Sequence, residues 1–212
     1  MEHYNDRSTA KSYHEVFTKE SMSEDLKRRA LERFNMFSSS IKKEGQVLDA
    51  GCGTGRFVKY FIQKGFKVTG IDNSEPMIEI ASRENPNVIF KKMDMRHLEF
   101  PPKSFDGIWN VATLVHFNEF EVEMVLREFK RVLKRDGALY ISTRTDETDK
   151  SILEESLEGG KITFNYYSPN TLKLLLFNTG FEVMTMNVEP DDYSRNFNYI
   201  YILAKPSNLG NH

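Results

Sequence analysis

The stretch Val47-Leu48-Asp49-Ala50-Gly51-Cys52-Gly53-Thr54-Gly55-Arg56 decides how this chain is read. Gln46 to Ala50 is a short β-rich run that ends abruptly in three glycines at alternating positions. Glycine admits positive φ and removes the side chain that would hold a ligand away from the backbone. A dinucleotide fingerprint, Gly-x-Gly-x-x-Gly, places a pyrophosphate on the N-terminus of the following helix. After Gly51 and Gly53 that pattern requires glycine at position 56, where Arg56 stands. Asp49, two residues before the first glycine, would repel a diphosphate and attract an ammonium group. The sign of the charge therefore predicts a cationic or zwitterionic ligand.

Outward from this loop, β-rich runs alternate with helical stretches. Phe57, Val58, Phe61 and Ile62 share a helical face, and Gly65 supplies a stop. Lys67 to Asp72 reads as a second strand, and Ser74 is placed to cap a helix through Met77, Ile78 and Ala81. Val88 to Met93 and Phe105 to Trp109 read as the third and fourth strands. Glu119 to Arg135 is the clearest helix, with Val122, Val125, Leu126, Phe129, Val132 and Leu133 at helical spacing and Gly137 as its expected stop. Gly137 to Thr143 gives a fifth strand. Ser168-Pro169 opens a helix that Gly180 closes. Phe181–Val188 and Tyr199–Ala204 have no helix between them and are expected to pair as an antiparallel hairpin at one edge. The alternation predicts a Rossmann-like, doubly wound α/β fold: a mostly parallel sheet, helices on both faces, and an antiparallel last strand.

The expected domain plan follows. Residues 1–44 form an N-terminal helical cap or lid, with Leu26, Ala30, Phe34 and Phe37 on one face. Residues 45–205 form the main domain, and 206–212 a tail. Within the main domain, 144–168 is too long for a simple connection and is expected to be an acceptor-side insertion, since insertions of that length are usually functional or mobile.

Composition narrows the function. Of 212 residues, 39% are hydrophobic and 12% aromatic, enough to bury a substantial core. The 29 basic and 31 acidic side chains leave a net charge of −2, which disfavours a protein gripping long nucleic acid through many phosphates. The single cysteine excludes an intramolecular disulfide and makes a Cys-based zinc site improbable; no metal site is expected. With no membrane-length apolar run and a polar Met1–Ser12, the expectation is a soluble, cytoplasmic protein.

In a sheet of this kind ligands bind at the carboxyl ends of the strands, near the reversal of strand order. Asp72 ends the second strand, where an acid accepts hydrogen bonds from a ribose diol and disfavours a 2′-phosphate. Asp94, which ends the third strand, is placed within reach of an adenine amino group. The bland alternative for all three acids is turn formation or helix capping.

Val47 to Gly55 closely resembles the glycine motif of class I S-adenosylmethionine-dependent methyltransferases. The resemblance extends over Val68 to Ser74, Met93-Asp94-Met95, Phe105 to Asn110 and Leu133 to Leu139, and covers about Gln46 to Ala204. It implies a seven-stranded sheet and S-adenosyl-L-methionine as cofactor. Backbone around Gly51, Cys52, Gly53 and Thr54 would lie along the methionine part of that cofactor. Asp49 would sit near its amino group, and Arg56 near its carboxylate. Asp72 would bind the ribose hydroxyls, Asn73 and Met77 would flank the nucleoside, and Asp94 with Met95 would bind adenine. Asn110 and Ala112 would line the floor. Tyr4 to Arg7 and Tyr13 look like the amino-terminal segment that many relatives fold over the cofactor; packing with Ala10 and Phe17 is the alternative for Tyr13.

The sulfonium methyl is already electrophilic, so the protein's task is positioning, water exclusion and, for some acceptors, proton removal. His116, just past the fourth strand, is the candidate general base; a capping or packing histidine is the other reading. Cys52 and Trp109 read as packing. Phe164, Tyr166 and Tyr167 suit an apolar or aromatic acceptor, or else a strand packed on the sheet. The function expected is direct methyl transfer to a small-molecule acceptor, with tRNA or protein acceptors, or a non-catalytic cofactor-binding sensor, as alternatives. The sequence does not fix the oligomeric state.

Overall fold

The computed structural model describes residues 5–19, 24–155, 161–190 and 197–207. Tyr4 lies outside the described residues, as do the side chains of Phe17 and Leu26. The elements run α1 Arg7–Lys19, α2 Glu24–Ser39, β1 Gln46–Ala50, α3 Val58–Gln63, β2 Lys67–Asp72, α4 Glu75–Glu84, β3 Ile89–Lys92, β4 Phe105–Val111, α5 Glu119–Val132, β5 Leu133–Thr145, β6 Lys150–Glu155, β7 Lys161–Tyr166, α6 Pro169–Asn178, β8 Phe181–Pro190 and β9 Asn198–Pro206. Seven strands form one sheet in the order β3-β2-β1-β4-β5-β9-β8. β9 alone runs against its neighbours, β5 and β8. Strand order reverses between β2–β1 and β1–β4, which puts the switch point at the end of β1.

Alternation along the strands divides the core between two faces. Leu48, Ile108, Leu139, Ile141 and Ile202 meet α5 and α6 on one side. Val47, Trp109, Tyr140, Tyr201 and Leu203 meet Phe34 and Phe37 of α2 and Phe61 of α3 on the other. Trp109 stacks on Tyr140 at 4.0 Å and 10°, which is the packing role expected of it. α2 is thus part of the core. α1 lies on α4 through Ala10, Met77, Ile80 and Tyr13.

The caps read from sequence form. Ser74 Oγ accepts from Met77 N at 3.3 Å, and Ser168 Oγ accepts from Thr171 N at 3.2 Å. Asn118 and Glu121 close a reciprocal capping box on α5.

Several boundaries differ from expectation. α5 ends at Val132, because Leu133 leaves the helix to pair with Phe105 and is 2% exposed. Gly137 lies inside β5: a Cβ there would stand 2.8 Å from the Asp106 carbonyl oxygen, so the glycine permits close strand approach and is not a helix stop. β3 ends at Lys92, two residues short of Asp94, and β4 runs on to Val111, taking Asn110 into the strand. Residues 144–168 contain the β6–β7 ribbon, an antiparallel pair held down by Phe164 and Tyr166 against Val115.

Candidate active site

β1 delivers Asp49 and then the glycine loop to the switch point. Gly51 N and Cys52 N both donate to Ile71 O, at 2.8 and 2.9 Å, so the end of β2 anchors the turn. Gly51 has φ +77°, and a Cβ there would collide with the Thr113 methyl and approach Met95 Cε to 3.3 Å. Left-handed backbone costs an L-residue about 1–2 kcal/mol and overpacking about 1–3 kcal/mol. Gly51→Ala is therefore expected to destabilise the protein by about 2–4 kcal/mol, read from urea unfolding. Gly53, at φ +52°, donates its N–H to Asp72 Oδ2 at 2.9 Å. The Tyr13 ring edge lies 3.7 Å from where its Cβ would be, so α1 brings Tyr13 over the loop.

Asp72 Oδ1 also accepts from Ser74 N at 2.9 Å. Burial pushes its carboxyl above the usual carboxylate range despite these donors. Asp49 is 2% exposed and its Oδ2 has no hydrogen-bond partner among the described residues. Burial pushes its carboxyl up to about 7; Arg56 opposes the shift and Asp72 adds to it. Arg56 packs over the Phe57 ring at 4.5 Å.

On the other side of β1, Asn110 Nδ2 donates to Ala50 O at 2.9 Å and to Thr113 Oγ1 at 2.5 Å, leaving buried Oδ1 without a partner. Ala112 follows at φ +57°, unusual for a residue with a Cβ, with its N–H on Ser142 O at 2.7 Å. Asn110, Thr113 and Met95 thus converge on Gly51. Thr113 was not foreseen; its signal is a hydroxyl three residues after the strand-end amide.

The other sequence candidates separate into groups. Cys52 and Thr54 are buried in the loop, and burial raises the Cys52 thiol well above its ordinary range, which fits packing and not nucleophilic chemistry. Met77 is buried between α1 and α4, and Asn73 is half-buried beside Asp72. Asp94 is turned to Arg96, whose Nη2 stands 2.6 Å from Asp94 Oδ2 and whose Nη1 reaches Glu121. Burial raises the Asp94 carboxyl, but Arg96 outweighs that and holds it below the usual carboxylate range. His116 lies in a 3-10 turn after β4, half-buried, with its ring 5.3 Å from Phe164.

The donor set fits a sulfonium amino acid joined to a nucleoside. Two buried orphan acceptors, Asp49 Oδ2 and Asn110 Oδ1, flank the glycine cradle and call for a donor such as an ammonium. Asp72 stands at the end of the neighbouring strand with lone pairs left for a diol. No diphosphate cradle is present in this loop.

A mostly parallel sheet with its crevice at β1, closed by an acid-flanked glycine loop, defines a nucleoside-binding α/β protein. The profile of a methyltransferase domain matches residues 47–137. The chain is similar to the class I S-adenosylmethionine-dependent methyltransferases. It is 29% identical over 181 residues to the ubiquinone/menaquinone biosynthesis C-methyltransferase UbiE of Campylobacter jejuni, covering 70% of this chain and 75% of that protein. It is 32% identical over 121 residues to the S-adenosyl-L-methionine-dependent Diels-Alderase iccD of Talaromyces variabilis, covering 53% of this chain and 41% of that one. Among solved structures, the 1,6-didemethyltoxoflavin-N1-methyltransferase of Burkholderia thailandensis, bound to 1,6-didemethyltoxoflavin and S-adenosylhomocysteine, superposes with a TM-score of 0.73 at 21% identity, over 95% of this chain and 85% of that one. The matches span about two fifths of the length of several curated relatives. No described helix is long and apolar enough to cross a membrane.

Proposed function

We propose that this chain transfers a methyl group from S-adenosylmethionine to a small-molecule acceptor. The observation that carries the reading is the pair of orphaned buried acceptors beside a glycine loop whose neighbouring strand ends in Asp72. When bound, the cofactor supplies a methyl group on a positively charged sulfur. Asp49 holds the ammonium end, Asp72 the ribose hydroxyls and Asn110 the floor, while Arg56 stands near the carboxylate. Met77 and Asn73 flank the nucleoside, with Asp94 and Met95 toward adenine. Tyr13, carried by α1, covers Gly53 and excludes water from the loop.

A small acceptor fits the charge balance of the chain and the names of the Campylobacter and Burkholderia proteins. The β6–β7 ribbon and His116 border the crevice beyond β4, where an acceptor must stand to meet the methyl group. A chain with a single, buried cysteine also suits a reducing compartment, and a cytoplasmic location is proposed on that ground.

Calorimetric titration with S-adenosylhomocysteine tests the cofactor assignment; no heat of binding at millimolar ligand would end it. His116 is assigned the proton-accepting role for a hydroxyl acceptor. His116→Gln is expected to slow turnover about 10²-fold or more and leave S-adenosylhomocysteine affinity unchanged.

A second reading has its own support. The Talaromyces relative is named a Diels-Alderase, and the [4+2]-cyclase SpnF superposes with a TM-score of 0.67, covering 82% of this chain and 80% of that one. A protein that binds the cofactor without spending its methyl group predicts cofactor affinity with no S-adenosylhomocysteine released across an acceptor screen.

A further inference from the structure

Among the described residues Arg144 is the most enclosed arginine, and methyl transfer as proposed above gives it no task. Its side chain is 11% exposed. A buried cation is costly unless it is paired and hydrogen-bonded, so so enclosed a guanidinium must be held by specific partners. Arg144 Nη1 donates to Glu154 Oε1 at 2.7 Å and to Tyr166 Oη at 3.0 Å. Its plane lies against two rings, with the guanidinium carbon 4.0 Å from the Phe164 centroid and 4.2 Å from that of Phe197. Nε and Nη2 make no hydrogen bond with the described residues. The group is thus clamped on its faces and on one corner, with an unused donor edge.

β5 carries Arg144 toward the carboxyl ends of the strands, the side of the sheet where ligands bind. Arg144 shares its face of β5 with Tyr140, which pairs with Trp109, which pairs with Asp49. At about 3.3 Å per residue, Arg144 lies roughly 13 Å beyond Tyr140 along β5, past the level at which β1 ends at Ala50. Two strand spacings, roughly 10 Å, separate β5 from β1. The Phe164 centroid lies 4.0 Å from the Arg144 guanidinium carbon and 5.3 Å from the centroid of the His116 ring. The cation and the proposed base therefore neighbour one ring.

We infer that Arg144 reads an oxyanion, a carboxylate in the simplest case, on the methyl acceptor. This rests on the methyltransferase reading and adds the acceptor's charge class to it. A guanidinium edge offers two parallel N–H groups matched to the two oxygens of a carboxylate. The aromatic clamp sets its orientation before the ligand arrives, so little rotamer freedom is lost on binding. Phe164 is consequently occupied by the guanidinium, and an aromatic acceptor would not stack on that face.

The test is ligand-observed NMR on the full chain saturated with S-adenosylhomocysteine. The probes are hexanoate, benzoate and indole-3-acetate, each paired with its neutral amide. The wild type is expected to bind at least one acid about tenfold or more tightly than its amide. Arg144→Gln abolishes that preference, and Arg144→Lys, which keeps the charge without the fork, reduces it; either variant suffices if the other does not fold. Glu154→Gln, by removing the negative charge that neutralises the guanidinium, is expected to raise acid affinity about threefold or more. A role confined to tying the ribbon to β5 predicts equal binding of acid and amide, with Glu154→Gln lowering the melting temperature and gaining nothing. That result, or no acid binding at all, overturns the assignment. Calorimetry with S-adenosylhomocysteine on the same proteins separates the two ideas: absent binding in the wild type refutes the cofactor reading, whereas intact binding without acid preference refutes only the role of Arg144.

Discussion

Asp72→Ala is expected to lower the affinity for S-adenosylhomocysteine by two to three orders of magnitude. A hydrogen bond to a charged partner contributes about 1.5–3 kcal/mol, and a ribose diol would donate two to this carboxylate. The upper part of that range is discounted because Oδ2 already accepts from Gly53 N and Oδ1 from Ser74 N. Those two contacts also mean that the alanine variant loses loop order along with the ribose contact. Asp72→Asn keeps shape and one acceptor, and a loss of about tenfold is expected. The fold itself tolerates the change: burial opposes ionisation of this group, so its removal relieves a cost while leaving two amides without their acceptor. Calorimetry reads the affinity, and thermal unfolding separates it from misfolding. An alanine variant within threefold of wild type at an unchanged melting temperature would exclude Asp72 from the ribose site.

Asp49→Asn is expected to act in opposite directions on stability and on binding. With its carboxyl at about 7 in the folded protein, Asp49 is mostly neutral there below that pH, whereas in the unfolded chain it ionises near 3.8. The folded state therefore binds more protons between these values. The resulting penalty on folding grows as pH rises from about 4 to about 7 and is constant above. The amide carries no such penalty, and the variant is expected to be more stable at pH 8 by about 1–3 kcal/mol, once the amide's own burial is subtracted. The gain shrinks toward zero as pH falls to about 4. Binding runs the other way, because an ammonium needs the ionised carboxylate. Wild-type affinity for S-adenosylhomocysteine should rise through pH 7 with release of a proton, visible as a dependence of the binding enthalpy on buffer. The variant should bind about tenfold or more weakly and show a flat profile across that range. A wild type whose affinity is insensitive to pH between 6 and 8 would refute the pairing.

The sheet and its crevice were legible because each element carried its own local signal. Ser74 and Ser168 announced two helices through side chains that the structure shows accepting the first free amides. The positions of Asp49 and Asp72 were legible because both stand where a β-rich run gives way to a loop, at one edge of a parallel sheet. The misread boundary at Leu133 shows where such signals fail. Leu133 continues the apolar stripe of α5, yet burial against Phe105 in a neighbouring strand outweighs helical continuity, and Lys134 then pairs with Asp106 at 2.8 Å. Asp94 illustrates a second limit: its position was visible, but its engagement by Arg96, two residues on, depends on side-chain direction that spacing does not encode. Arg144 was overlooked for a third reason. A cation in a strand reads as an edge residue, and only the folded ribbon supplies the rings and the carboxylate that enclose it.

Strand order has a consequence for how the molecule is assembled. β9 follows β8 in the chain but lies inside the sheet, bonded to β5 on one flank and β8 on the other. As the polypeptide emerges from a ribosome, β8 has nowhere to dock until residues 198–206 arrive to make its seat. A nascent chain halted before them would display the bare flank of β5, with Tyr140 and Ile141 lacking their cross-strand cover. Completion of the sheet therefore waits on its penultimate position being filled last, and premature termination in that span exposes an adhesive edge at the middle of the protein.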